Sequence, residues 1–480
     1  MKRTPRRLIG TLIAAAAMLV VVPASAQALS LSGLAGAPAS TQAGAHSNFH
    51  LHMDFAGGQV KDLTIGLPPG QLGDPNATPL CTVAQLNATS CPSNTIVGHV
   101  DATAQVSLLG IPLPVPITAS GSLFNLTPQA GEPARFGIVL NPLGIPGLQP
   151  IILQSAVQLR PDFGLNTVIN MIPNTTILAG DTTILSQDIT LFGIAPGTGK
   201  PFSRNPTSCG SKTTSFSAVP YTGTTATGTA SYTTTGCENE EFSPSFSARV
   251  GAPGQTGGGA TRVPTPVVTS IQQDLDEAGL LKAQVAVPAN DLVADANLLG
   301  STCLQADFQA GTCPANSVVG SALAASPLLS LPLSGNVALV SNGGPIPDIG
   351  LDLNGQLHLL LKGSLTLSEV VTFDGLPDIP ISDFRLTFTS PPGLLTANRD
   401  LCLPPAPVFH ADFTGYNGAT TSVDSPATVD GCGAGNNGGV GGKCKKSKKK
   451  KHKHHRAAES KKKHKKKSCK KKKRHKKHRK

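Results

Sequence analysis

Four cysteines occur twice in the same order along this chain of 480 residues. Cys81 and Cys91 enclose nine residues, as do Cys303 and Cys313; Cys209 and Cys237 enclose 27, and Cys402 and Cys432 enclose 29. The words around them repeat as well. CTVAQLNATSCPSNTIVGHV at Cys81 matches CLQADFQAGTCPANSVVGSA at Cys303, with Cys-Pro-x-Asn-x-x-Val-Gly in common. DITLFGIAPG at Asp188 resembles DFRLTFTSPPG at Asp383, and SFSAVPYTG resembles VFHADFTGYNG, each of the latter running on to a Gly-Cys pair. GAPASTQAGAH at Gly36 is echoed by GAPGQTGGGAT at Gly251. Self-similarity on this scale predicts a tandem duplication, two units of about 200 residues filling 34 to 432. The simplest pairing joins Cys81 to Cys91, Cys209 to Cys237, Cys303 to Cys313 and Cys402 to Cys432.

Each unit reads as β. Short alternating or apolar runs such as QVSLLGIPLPVPI, FGIVLNPLGI, HLLLKGSLTL and EVVTF are bounded by Gly, Pro, Asn and Asp, and few segments keep a helical period for more than two turns. TTSFSAVPYTGTTATGTASYTTTG is a Thr-rich hairpin pattern between two cysteines. The helix candidates are TVAQLN inside the first small loop and SIQQDLDEAGLL before the second unit. The expected fold is all-β: two tandem, disulfide-stapled, sandwich-like domains at 34–248 and 249–432. With no Trp, 51 Gly and 40 Pro, the core rests on Leu, Val, Ile and Ala. Each staple contributes about 3 kcal/mol on the chain-entropy model, a large share of a typical net stability of about 5–15 kcal/mol.

Such a cysteine framework belongs in an oxidising compartment. MKRTPRRLIGTLIAAAAMLVVVPASAQA supplies the matching export signal: a basic start, an apolar run from Leu8 to Val22 and Ala24-Ser25-Ala26 for cleavage before Gln27. The expected signal peptide is 1–26, followed by a short segment, 27–33. Pro and Gly interrupt every later apolar stretch, so no transmembrane segment is expected in the mature chain.

The formal net charge of +12 averages parts that behave differently. Lys443 to Lys480 holds 24 Lys and Arg against the single acid Glu459, a net of +23. The signal contributes Lys2, Arg3, Arg6 and Arg7, which leaves 12 basic and 27 acidic residues, about −15, for the body. The stretch 433–442 is a Gly-rich linker, and 443–480 is too densely charged to pack, so a displayed, disordered Lys/His-rich tail is expected. The polyanion-binding residues expected there are Lys445, Lys446, Lys448, Lys449, Lys450, Lys451, Lys461, Lys462, Lys463, Lys465, Lys466, Lys467, Lys470, Lys471, Lys472, Lys473 and Arg474. Cys444 and Cys469 pair within the tail or between chains. The preferred partner is an anionic envelope polymer or polysaccharide, which asks only for multivalent charge at short range. Extracellular nucleic acid is the alternative, although the tail has no aromatic ring to stack on bases. Metal binding by the six tail His is opposed by the surrounding charge.

Catalytic patterns are absent: no Gly-x-Ser-x-Gly elbow, no His-Glu-x-x-His, no Walker loop and no complete calcium loop. No enzyme activity, cofactor or metal is expected. Asp348 and Asp352 read as solvated carboxylates of a turn-rich segment. His50, His52 and Asp54 alternate on one strand face, a metal-ligand pattern. A shift of 215 residues puts Thr265, Val267 and Thr269 in the second unit's corresponding places, so an exposed polar face is preferred.

STQAGAHSNFHLHM, KDLTIGLPPGQLGDPNATPLC, CPSNTIVG and the Cys-flanked Lys/His tail resemble the large secreted tandem-repeat surface proteins of actinobacteria. The resemblance covers most of the mature chain and implies a lineage and a surface location; it brings no catalytic residue to this sequence. The resulting expectation is a secreted, non-enzymatic cell-surface or envelope protein, structural or adhesive, retained by its tail. A binding module for a hydrophobic or glycan ligand is the alternative, suggested by LLGIPLPVPI and LLSLPLSGNVALV.

Overall fold

The computed structural model describes residues 28–108, 111–142, 149–174, 176–177, 180–257 and 262–432. The expected signal peptide, the Gly-rich linker and the whole tail, with its lysines and Cys444 and Cys469, lie outside the described residues.

In the first half of the described chain the strands are β1 (Ser30–Pro38), β2 (Phe49–Ala56), β3 (Val60–Gly66), β4 (Leu72–Gly73), β5 (Ile96–Leu108), β6 (Ile111–Pro112), β7 (Ile117–Leu126) and β8 (Arg135–Pro142). They continue as β9 (Ile151–Leu159), β10 (Leu165–Ile169), β11 (Thr176–Ile177), β12 (Gly180–Leu191), β13 (Ser203–Arg204), β14 (Gly210–Pro220) and β15 (Ala226–Thr234). The second half starts with β16 (Ser245–Val250), β17 (Val263–Pro264), β18 (Val267–Gln272), β19 (Leu280–Ala286), β20 (Leu292–Ala294), β21 (Val318–Ala325), β22 (Leu333–Val340) and β23 (Asp348–Asn354). It ends with β24 (His358–Leu365), β25 (Val370–Asp374), β26 (Asp383–Phe388), β27 (Leu395–Ala397), β28 (Val408–Gly415), β29 (Thr420–Pro426) and β30 (Thr428–Val429). Two short helices, α1 (Val83–Asn87) and α2 (Gln305–Gln309), sit inside the two small disulfide loops.

The two main sheets have one strand order. The first runs β1-β2-β12-β5-β7-β8-β9-β10-β3-β14-β15, and the second, read from its far edge, runs β16-β18-β26-β21-β22-β23-β24-β25-β19-β28-β29. Every neighbouring pair in both paths is antiparallel. Eleven antiparallel strands bring the first and last to run in the same direction, so a sheet of this length can close only through a parallel contact. It does: Gln42 bridges Thr235 in parallel beside β1 and β15, and β30, the continuation of β29, pairs in parallel with β16. Each sheet is thus a barrel-like wall whose inner faces pack on each other, which removes its free edges.

Alternation builds the cores. Along β2, Phe49, Leu51, Met53 and Phe55 turn inward and His50, His52 and Asp54 outward. Central strands are buried on both sides where a helix covers them. Thr82 and Gln85 form a reciprocal cap that starts α1, which lays the fully buried Leu86 on Gly137 of β8. Phe308 of α2 lies on Gly350 of β23 in the same way, and a Cβ at either glycine would come within 2.6 Å of the covering side chain. The shared Val-Gly of the cysteine motif has an equally physical cause. Gly98 and Gly320 follow register shifts in β5 and β21, and a Cβ there would lie 2.5 Å from Thr190 O and 2.0 Å from Thr387 O.

The barrels stack end to end within one compact unit. The turns after β7 and β9 of the first barrel face the turns after β21, β23 and β25 of the second. Phe163, at φ +62°, projects from the β9–β10 turn onto the second core, beside Leu329, Leu357 and Ile379. Around this apolar contact lies a buried polar rim. Asp378 accepts from Thr207 N (2.9 Å) and Thr207 Oγ1, and that hydroxyl accepts from Gly279 N at 3.0 Å. Arg204 donates to Glu277 O at 2.7 Å. Burial pushes the Asp378 carboxyl above its ordinary range, against the two Thr207 bonds.

Several expectations are corrected. SIQQDLDEAGLL is the end of β18, a turn and the start of β19, because Ile271 and Leu280 are both drawn into the barrel core. The first sheet begins at Ser30 rather than 34, and a boundary at 248/249 falls within β16, which belongs wholly to the second sheet. Asp348 is buried in the central strand β23, held by Asn342 Nδ2 at 2.9 Å and Lys362 Nζ at 3.2 Å. The Gly36/Gly251 echo is no structural match: Gly36 lies within β1, whereas Gly251 follows β16.

Candidate functional site

The four disulfides join the pairs expected from the spacing, Cys81–Cys91, Cys209–Cys237, Cys303–Cys313 and Cys402–Cys432. They fasten loops and hairpin ends and hold no free thiol for chemistry.

The chemistry-bearing side chains of the described residues gather on outer strand faces. His50 and His52 of β2 meet β12 directly, opposite Thr190 and Asp188, and β12 in turn faces β5, where His99 and Asp101 stand opposite the same two residues. Three strands therefore carry one polar ladder across the first barrel. His52 is clasped on both sides, with Nδ1 2.7 Å from Asp188 and Nε2 3.3 Å from Asp54. His50 Nδ1 meets Thr190 Oγ1 at 3.1 Å, and His99 Nε2 meets Asp101 at 3.2 Å. The second barrel has a counterpart elsewhere, on β28 and β29: His410 Nδ1 lies 2.7 Å from Asp424 and Nε2 3.2 Å from Asp412.

A recurring tripeptide explains these sites. His52-Met53-Asp54, His99-Val100-Asp101 and His410-Ala411-Asp412 are all His-x-Asp on exposed strand faces, where the two-residue repeat puts imidazole and carboxylate side by side. The hydrogen bond that Asp188 accepts raises the His52 pKa above its ordinary value, and the one that Asp424 accepts does the same for His410. Both nitrogens of His52 and of His410 are engaged by carboxylates, and no nucleophile lies between the partners. Among the described residues no group of His, Cys, Asp and Glu has the geometry to hold a metal ion. The polar-face reading of His50, His52 and Asp54 agrees with this arrangement. Its supporting alignment changes: Phe49 and Val267 pair with the corresponding strands at Leu191 and Phe388, so the structural equivalents are Val268, Ser270 and Gln272 rather than Thr265, Val267 and Thr269.

Asp348 and Asp352 share a face of β23 but do not work as a pair, since Asp352 is held by His358 at 2.8 Å and Asp348 by Lys362. The barrel interiors are apolar. A cavity of about 80 Å³ inside the second barrel is lined by Leu280, Val285, Leu361 and Phe384, and one of about 70 Å³ lies within the first near Ala104, Ile117 and Ile151. Ligand pockets for drug-sized molecules run to several hundred Å³. A further cavity of about 190 Å³ at the outer end of the second barrel is bordered by Leu365 and Leu394 and by Glu369, whose Oε2 is buried without a partner.

No family model matches the chain, and no curated protein does.

Proposed function

We propose that the chain is an exported, non-enzymatic surface protein, structural or adhesive, held electrostatically on an anionic envelope polymer or polysaccharide by residues 443–480. The observation that carries this reading is the division of charge, +23 in the last 38 residues against about −15 in the body. Four disulfides support an oxidising location, and the apolar leader with its small-residue cleavage site supports export. The common strand order of the two barrels supports descent from one duplicated unit. Closed walls, covered cores and clasped histidines suit a durable spacer better than a catalyst.

Small interior cavities weigh against a hydrophobic-ligand carrier, and a tail without aromatic residues weighs against stacking on nucleic-acid bases. The test is a salt series with the full chain on an acidic polysaccharide, an anionic envelope polymer and DNA. The reading expects steep loss of binding to the first two as salt rises, through release of bound counterions. Binding that ignores salt, or that survives removal of 443–480, sinks it.

A further inference from the structure

One pair of chemistry-bearing groups lies apart from the outer ladders, at the start of β14. Along this strand Thr214, Phe216 and Ala218 are buried in the first barrel, and the two-residue repeat puts Lys212 on the same inner face. Lysines turned inward are usually paired with a carboxylate. Among the described residues Lys212 forms no ion pair, and its amine instead donates to Ser208 Oγ at 2.6 Å. Burial lowers the Lys212 pKa from its ordinary value, and the charge of Asp378 opposes that shift. Asp378 in turn feels the charges of Arg204 and Glu240. Tyr232, opposite Lys212 on β15, keeps its proton because burial pushes its pKa up.

The turn that carries Ser208 is open to solvent, since Ser208 is only half-buried and Cys209 beside it is exposed. It is also fixed on both sides. Thr207 holds Asp378 of the second barrel through its N–H at 2.9 Å and through its hydroxyl, and the Cys209–Cys237 bridge ties the next residue to the end of the hairpin. A nucleophile gains from neighbours that hold it in place. Among the described residues neither Ser208 N nor Cys209 N donates to another group. Uncommitted backbone N–H groups beside a nucleophile are the donors that an attacked carbonyl oxygen needs as its charge develops. The common barrel scaffold does not require the pair, because Leu401 precedes Cys402 where Ser208 precedes Cys209.

We infer that Ser208 is an acyl-accepting nucleophile with Lys212 as its base, and that its substrates are activated esters or thioesters. The neutral amine takes the hydroxyl proton as Ser208 Oγ bonds the carbonyl carbon. Lys212 then gives that proton to the departing alcohol or thiol as its bond to the carbon breaks, and the acyl group stays on Ser208 as an ester. Serine beside an uncharged lysine performs this exchange without histidine. A well-solvated lysine would keep its proton at neutral pH, so the inner-face position of Lys212 is what allows it to serve as a base. The inference goes beyond the surface role and does not rest on the tail.

The test treats the full chain with an alkyl fluorophosphonate, in which phosphorus stands for the carbonyl carbon and fluoride leaves. Peptide mass mapping should find an adduct on Ser208 and none on Ser231, an exposed serine of the same hairpin. Its rate should rise with pH through a value below the ordinary lysine figure of 10.5, as Lys212 loses its proton. Lys212→Arg, which keeps the charge but cannot act as a base, and Lys212→Met should each slow the reaction at least about a hundredfold with thermal unfolding unchanged. Prior treatment with p-nitrophenyl butyrate should block the adduct and leave a butyryl ester on Ser208, a result that needs no variant to fold. The inference is overturned if Ser208 gives no adduct, if Ser231 reacts as fast, or if butyrate fails to block. It is equally overturned if both folded Lys212 variants react as the parent does. Failure of the tail reading looks different, because deletion of 443–480 leaves the Ser208 adduct unchanged either way.

Discussion

Gly98 shows how a single residue can be dictated by its neighbours. A methyl group at Gly98 or Gly320 would collide with a backbone carbonyl that belongs to the sheet itself, so the strand has to move. Gly320→Ala should cost about 1–3 kcal/mol, read from urea unfolding, as overpacking generally does. Thr207 is the equivalent point for the contact between barrels. Thr207→Val removes the hydroxyl that serves Asp378 and Gly279 together, and about 1–3 kcal/mol of stability should go with it. The clasped histidines give a prediction in pH. Their folded pKa is raised, so the His–Asp contact is fully formed below the ordinary value near 6.5 and is lost as pH rises through the folded value. NMR titration should find His410 above 6.5 in the parent and closer to 6.5 in Asp424→Asn; an unchanged titration would mean that the hydrogen bond is not its cause.

At the scale of elements, spacing was a good guide where the chain closes locally and a poor one where distant strands decide. The Thr-rich stretch between Cys209 and Cys237 is the β14–β15 hairpin, and the small loop after Cys81 holds its helix, because both contain their own partners. SIQQDLDEAGLL failed for the opposite reason: its polar helical look gives way once Ile271 and Leu280 enter a core assembled from strands over a hundred residues away. The α2 helix was missed because Gln305–Gln309 lacks the reciprocal cap that marks α1. The His-x-Asp ladder was legible only in its β2 part, since Asp188 and His99 join it through register. Among elements, the β9–β10 turn bears most directly on the stack. Phe163→Ala should loosen the contact between barrels by about 1–3 kcal/mol, less than a fully buried ring would lose, and calorimetry should show the two barrels beginning to unfold separately.

For the whole molecule, the strand order common to the two barrels reaches further than the doubled cysteines. One strand order used twice gives two ends of each kind, and stacking conceals one of each. What remains is one open end of the first barrel and a second barrel whose outer turn carries Glu369 in the position that Phe163 has in the first. The doubled cysteine motifs lie in two sheets of like strand order, while the closure of each sheet and the head-to-tail contact depend on pairings that no local pattern encodes. Net charge of +12 conceals the division on which the proposed role depends. The most direct measurement is fractionation of cells producing the full chain and a form ending at residue 442. The account predicts that the full chain stays with the envelope and leaves in about 1 M salt, while the shortened form passes into the medium with its barrels folded. Equal retention of the two forms would contradict it.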